Sequence, residues 1–385
     1  MFIGTKYLQN MNKIFIIGFL WLSSASFAQE VTSVKSRPNV LNTSFTLNDF
    51  LTDNKRLDAK VDSIFNSLND TSKVAQLIMP AIGKYGQPKA TIDYLVKNKL
   101  IGGLLLLNGT KEECTSWVKE YNGLNSKIGA LPFLYSADAE PTLVNRKIGG
   151  STPVKKANQI LNIDEVTEVA NIISKDLKEI GINYNFAPVL DMSSNATVGY
   201  RGFGANPENI TPWSNAFIAA TQANNILATA KHFPGHGLVT GDTHKALQVI
   251  DGELKEVKYY PPTINAGVTS IMIGHLAVKN NAQFNTNGMP ATTSSKIVTD
   301  LLRDSLSFKG LIVTDAMNMG GVASVPNANV LTVAAGCDIL LMPLDAAKAH
   351  KEILTMYQKD AAFKEKLDQA AKRIIRSKIC LGLVE

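Results

Sequence analysis

Cysteine is scarce: three residues in 385, at Cys114, Cys337 and Cys380, with no CxxC among them. An odd number at such wide spacing allows at most one disulfide, and a chain this long can build its core without any. Cys337 sits inside an apolar run and reads as a small buried hydrophobe rather than a nucleophile. Concentrated charge is missing too. The formal net charge of +6 is spread thinly, and no Lys/Arg run is interleaved with aromatics, which leaves out a nucleic-acid-binding surface. Past the N-terminus no hydrophobic run is long enough to span a bilayer. Nor does a linker, internal repeat or low-complexity stretch mark a second domain. What remains, 45% hydrophobic and 19% charged residues, is the composition of a well-cored globular chain.

The N-terminus carries its own signature. Lys6 and Lys13 precede the apolar run 14–22, and Ser23-Ser24-Ala25-Ser26-Phe27-Ala28 follows it. A basic region, a short hydrophobic region and small residues behind it spell a secretory signal peptide over 1–28, cut after Ala28. Met11 is an alternative start, and no cysteine at the cut suggests a lipid anchor. The mature chain is expected to be exported, periplasmic or secreted, and soluble. Residues 29–57, polar and weakly periodic, read as a leader segment wrapping onto a domain that fills 58–385.

Within that domain, apolar runs of strand type recur at 76–82, 102–107, 132–137, 182–190, 226–231, 269–274, 310–314 and 337–342. Stretches between them, such as 165–180 and 294–306, carry apolar residues at helical spacing. Continuously apolar strands alternating with helices predict a parallel sheet covered on both faces. Eight such units in about 310 residues predict an α/β fold of the (β/α)8 TIM barrel type, rather than a doubly wound sheet. It would be a single catalytic domain, closed by a helix near 364–377. Barrels gather function at the C-terminal ends of their strands. Here those ends carry Asp138, Asp191, Lys231-His232, His275 and Asp315, which predicts one convergent polar pocket.

Residues 231–244, Lys-His-Phe-Pro-Gly-His-Gly-Leu-Val-Thr-Gly-Asp-Thr-His, hold three of the chain's five histidines. Pro234, Gly235, Gly237 and Gly241 rule out a continuous helix, so the segment reads as a loop that binds a ligand or moves protons. A zinc site on His232, His236 and His244 is one reading. His232 and His236 have the i, i+4 spacing of a helical metal pair, but Pro234 and Gly235 lie between them. Asp242 and His244 suit an acid/base dyad, the carboxylate orienting the imidazole, and suit a solvated loop pair equally. Asp315, ending the run 311–314, is a candidate nucleophile or base, or else an N-cap.

Lys231-His-Phe-Pro-Gly-His-Gly237 with Asp242-Thr-His244 resembles the substrate and acid/base loop of family 3 glycoside hydrolases, in their β-N-acetylglucosaminidase branch. Further matching segments are Lys73-Val-Ala-Gln-Leu-Ile-Met79, Asn185-Phe-Ala-Pro-Val-Leu-Asp191, Arg201-Gly-Phe-Gly204, Ile271-Met-Ile-Gly-His275 and Thr314-Asp-Ala-Met-Asn-Met319. The resemblance implies Asp315 as nucleophile, His244 as acid/base and Asp242 as its orienter. It implies Asp138, Arg146, Arg201, Lys231, His232 and His275 as ligands of the sugar being cleaved. No metal or cofactor is required, and the partners implied are N-acetylglucosamine-containing glycans, met by a monomer. The implied activity is exo-acting, retaining β-N-acetylhexosaminidase. Alternatives are a non-catalytic glycan-binding relative, a β-glucosidase, or a phosphorylase, since a neutral imidazole repels phosphate less than a carboxylate does. Two departures bear on specificity: Asp138-Ala-Glu-Pro-Thr142 replaces the family's Asp-x-Glu-Gly-Gly, and Leu238-Val239 replaces Asp-Thr after Gly237.

Overall fold

The computed structural model describes residues 44–384; the expected signal peptide and the expected leader as far as Thr43 lie outside them. Each of the eight apolar runs contributes a parallel strand. Seven strands form one sheet in the order Leu311–Thr314, Ser270–Ile273, Leu227–Phe233, Tyr184–Asn185, Leu134–Ala137, Gly103–Leu106, Ala81–Ile82. Ile78–Met79 and Leu340–Leu341 make a second, two-stranded parallel sheet. Pro80 divides the first apolar run between the two sheets, because a residue without an N–H cannot donate to a ladder. The result is a barrel-like arrangement of parallel strands with helices outside it. The strands are buried along their whole length, as layers covered on both faces require.

The helices follow their sequence signals closely. Ile163–Ile180 starts where the Asn162 side chain accepts a hydrogen bond from Glu165 N, and ends at Gly181 with φ 95°. Its buried face runs Val166, Val169, Ala170, Ile173, Leu177, Ile180. The stretch 294–306 is also helical, but Lys296–Ser305 is wound as a π-helix. The closing helix, Ala361–Cys380, is longer at both ends than its apolar periodicity suggested. The first helix, Lys55–Ser67, takes in the last three residues of the stretch read as leader, because Asn54 caps it by accepting from Leu57 N. Just before it, Arg376 of the closing helix donates to the carbonyls of Asp49, Phe50 and Thr52 and pairs with Asp58.

All three cysteines are free and buried. No described helix is long and apolar enough to cross a membrane. At the strands' N-terminal ends, Lys378 is fully buried and donates from Nζ to Gln76 Oε1 at 2.6 Å and Gly102 O at 3.0 Å. Burial pushes its ammonium down to about 7.

Candidate active site

Parallel strands deliver all their C-terminal ends to one edge, and there a cleft of about 1300 Å³ opens. Asp138, Arg146, Arg201, Lys231, His232 and Asp315 line it, with His244 on its rim. Most residues expected from strand ends and from the family resemblance therefore share one space.

One wall is a charge lattice. Lys231 Nζ lies 2.9 Å from Asp138 Oδ1 and 2.6 Å from Glu140 Oε1, while Lys147 Nζ reaches Asp138 Oδ2 at 2.6 Å. Arg201 grips Glu140 bidentately, Nε at 3.0 Å and Nη2 at 2.6 Å. Burial alone would push both carboxyls up, but the cations win. Lys147 and Lys231 hold Asp138 far below the usual range, and Arg201 with Lys231 brings Glu140 to about 2. The wall thus offers ionised acceptors and fixed donors together, a combination suited to gripping a sugar's hydroxyl groups.

Glu140 and Lys147 were not among the sequence candidates. Glu140 acts through Arg201, sixty-one residues away, a pairing that no local pattern reveals. The altered residue Thr142 contributes as well: its hydroxyl donates to Tyr200 O at 2.8 Å and accepts from Ala157 N at 3.0 Å. It fastens the Arg201 segment from below.

His232 is aimed by Asp191. Asp191 Oδ2 meets His232 Nδ1 at 2.6 Å, and the carboxylate also accepts from the backbone N–H groups of His232 and His236. With Nδ1 taken, Nε2 is the ring nitrogen left for the cleft. His275 corrects the sequence reading. It is fully buried off the cleft, with Nδ1 3.0 Å from Thr292 Oγ1 and Nε2 3.0 Å from Ala316 O. A carbonyl can only accept, so Nε2 carries the proton and both ring nitrogens are spent. A strand-end position fixes an edge of the sheet but not the direction of a side chain. His275 therefore braces the Asp315 segment instead of touching sugar.

Asp315 follows Leu311–Thr314, and its Oδ1 accepts from Ala316 N at 2.8 Å. Burial would raise its pKa, but the imidazoles of His232 and His275, the Ala316 N–H and the Lys231 charge hold it below the usual carboxylate value. These contacts favour its ionised form. Asp242 Oδ1 accepts from both Nδ1 (2.8 Å) and the backbone N–H (3.0 Å) of His244, whose side chain is 59% exposed. That orientation frees Nε2 for proton transfer. Two backbone hydrogen bonds tie this loop to the segment that follows Asp315: Gly320 N to His244 O at 2.9 Å, and Gly321 N to Thr243 O at 3.1 Å. A Cβ on Gly320 would stand 2.2 Å from Lys245 O, so only glycine allows the approach.

The zinc reading finds no geometry. The rings of His232, His236 and His244 bond to Asp191, Thr243 and Asp242 respectively, and among the described residues no cluster of three such side chains is arranged to hold a metal ion.

Comparison with known proteins identifies the family. Residues 70–377 match the profile of the glycosyl hydrolase family 3 N-terminal domain. The chain is 27% identical over 351 residues to the beta-N-acetylglucosaminidase/beta-glucosidase of Cellulomonas fimi, covering 84% of this chain and 60% of that protein. It is 32% identical to beta-hexosaminidase A of Pseudoalteromonas piscicida, covering 65% of this chain and 47% of the relative. Among solved structures it resembles the beta-N-acetylhexosaminidase of Beutenbergia cavernae, with TM-score 0.73, 26% identity, and coverage of 81% of this chain and 98% of the other. The family 3 beta-N-acetylglucosaminidase of Paenibacillus sp. str. FPU-7 gives TM-score 0.75 at 25% identity, over 82% of this chain and 63% of that one. The chain belongs to glycosyl hydrolase family 3, through that family's N-terminal domain.

Proposed function

We propose that the chain is an exo-acting, retaining β-N-acetylhexosaminidase that removes terminal β-N-acetylglucosamine from cell-wall or other glycans. The observation that carries this reading is the pairing of an ionised Asp315 with the Asp242–His244 dyad on one cleft, joined by the Gly320 and Gly321 bonds. The names of the relatives point to the same sugar.

The chemistry runs in two displacements. Protonated His244, its charge balanced by Asp242, gives its Nε2 proton to the glycosidic oxygen as a carboxylate oxygen of Asp315 attacks the anomeric carbon. The bond to the aglycone breaks and a glycosyl-aspartate forms. Neutral His244 then takes a proton from water, which attacks the same carbon and releases Asp315. Two inversions return the β configuration. Asp138, Arg201, Lys231 and His232 hold the ring for both steps.

Three finer points belong to this reading. The bonds Thr314 N to Ile339 O and Met317 N to Leu341 O support joining the two sheets into one closed (β/α)8 barrel. The first 28 residues support export to the periplasm or beyond, in which case the mature chain starts at Gln29. It would act as a monomer.

The test is turnover of an aryl β-N-acetylglucosaminide against the matching β-glucoside, with and without phosphate, the first product being followed by NMR. Preference for the N-acetyl sugar, retention of configuration and indifference to phosphate are expected. A preference for the glucoside, an inverted product, or a glycosyl phosphate would each overturn the part it addresses.

A further inference from the structure

Glu256 takes no part in the scheme above, yet it is 4% exposed and sits directly beneath the acid/base loop. It projects from the turn Lys255–Tyr259. Its Oε1 accepts from Met192 N at 2.7 Å and Gly237 N at 3.2 Å, and its Oε2 accepts from Leu238 N at 3.3 Å. One carboxyl group thereby clips two loops together: the one that leaves Asp191 and the one that leads to Asp242 and His244.

Two glycines of the loop, Gly235 and Gly237, make room for this clip. A Cβ on Gly235 would lie 2.5 Å from Glu256 Cβ. A Cβ on Gly237 would lie 1.9 Å from Met192 O and 2.6 Å from Glu256 Oε1. Neither position tolerates a side chain while Glu256 occupies its place. Asp191 serves the neighbouring stretch, accepting from His236 N at 2.8 Å. From there the restraint reaches the chemistry, because His236 Nε2 bonds Thr243 Oγ1 at 2.8 Å, one residue before His244.

We propose that Glu256 is a positioning residue for the acid/base histidine: it pins the stem of loop 235–244 so that His244 stands over the departing oxygen. This rests on the assignment of Asp242 and His244 made above. Burial, and next to it the charge of Asp191, push the Glu256 carboxyl up to about 8 against the pull of its three N–H donors. Glutamine is the conservative replacement: its carbonyl keeps the bonds from Met192 N and Gly237 N and gives up only the longest, from Leu238 N.

The experiment compares wild type, Glu256→Ala and Glu256→Gln on two substrates. The 2,4-dinitrophenyl β-N-acetylglucosaminide has a leaving group that needs no proton, whereas N,N′-diacetylchitobiose needs one. Glu256→Ala should lower kcat/KM on the disaccharide by roughly tenfold or more and on the aryl glycoside by less than about threefold. Glu256→Gln should recover most of the disaccharide rate, since its carbonyl still accepts from Met192 and Gly237. Equal losses on both substrates, or no loss on either, would overturn the proposal.

Amide hydrogen exchange over 190–195 and 235–245 tests the clip without any substrate. Faster exchange in the alanine variant and near-native exchange in the glutamine variant are expected; unchanged exchange in both overturns it. A wild type inert on both sugars, with exchange behaving as expected, would sink the proposed function and leave the clip supported.

Discussion

The proposed scheme gives Asp315 and His244 different work, and substitution should separate them. In that scheme Asp315→Ala removes the atom that would form the covalent intermediate, so turnover of any N-acetylglucosaminide should fall by roughly a thousandfold or more. A rate near wild type would reject the nucleophile assignment. His244→Ala should slow a substrate with a poor leaving group far more than one with an activated leaving group, since only the former needs a proton. Equal losses would remove His244 from the acid/base role. Glu140 makes a third case. Its removal leaves Lys231 without one of its two carboxylates and Arg201 without the bidentate one, both deep in the wall. Glu140→Ala should therefore cost about 3 kcal/mol in a denaturant titration; a loss under about 1 kcal/mol would show that water or Asp138 compensates. At this scale the sequence was informative wherever a charge ended an apolar strand, as at Asp138, Lys231 and Asp315. It misplaced His275 because alternation along a strand does not say what a residue beyond its end will turn toward. It passed over Glu140 because the partner that gives that carboxylate meaning is remote.

Loops in this site are held through their own backbone N–H and C=O groups, which makes glycine positions unequal in a way that sequence alone cannot rank. Gly237 and Gly241 look alike in the run 231–244. A Cβ on Gly237 would meet backbone, Met192 O at 1.9 Å, whereas one on Gly241 would meet the end of the Gln248 side chain, also at 1.9 Å. A side-chain amide can swing aside and a backbone carbonyl cannot. Gly237→Ala should cost about 2 kcal/mol or more by thermal or chemical unfolding, and Gly241→Ala less than about 0.5 kcal/mol. Equal costs would mean that the loop yields as a whole. Element existence was otherwise legible. Every apolar run became a strand, and caps such as Asn162 and Gly181 marked helix ends as their chemistry requires. The π winding of Lys296–Ser305 was not legible, because its apolar residues satisfy a helical period whichever hydrogen bonds form.

Across the whole molecule, strand direction separates activity from stability. The C-terminal edge carries the charge lattice, and the opposite edge is plugged by Lys378. That lysine is buried and its pKa falls from 10.5 to about 7. Between those values the unfolded chain binds a proton that the folded chain does not, so this contribution to stability declines as the pH drops from about 10.5 to about 7 and then levels off. Lys378→Met should abolish that slope. Its stability relative to wild type should rise as the pH is lowered from 10 to 7, by up to about 1.4 kcal/mol per pH unit. A difference independent of pH would show that the ammonium stays charged in place. Nothing in the local sequence announces this lysine, one of several in the closing helix, because its burial depends on Gln76 and Gly102 at the far end of the chain.

Any molecule that lifts the main chain of Thr243 and His244 outward must break its two backbone bonds to Gly320 and Gly321, which lie on the segment that follows Asp315. A compound wedged at that seam would unseat both halves of the proposed reaction at once. Resistance by exchanging side chains would be hard to come by, since the seam is main chain and a side chain placed on it at Gly320 would drive into Lys245 O and open it.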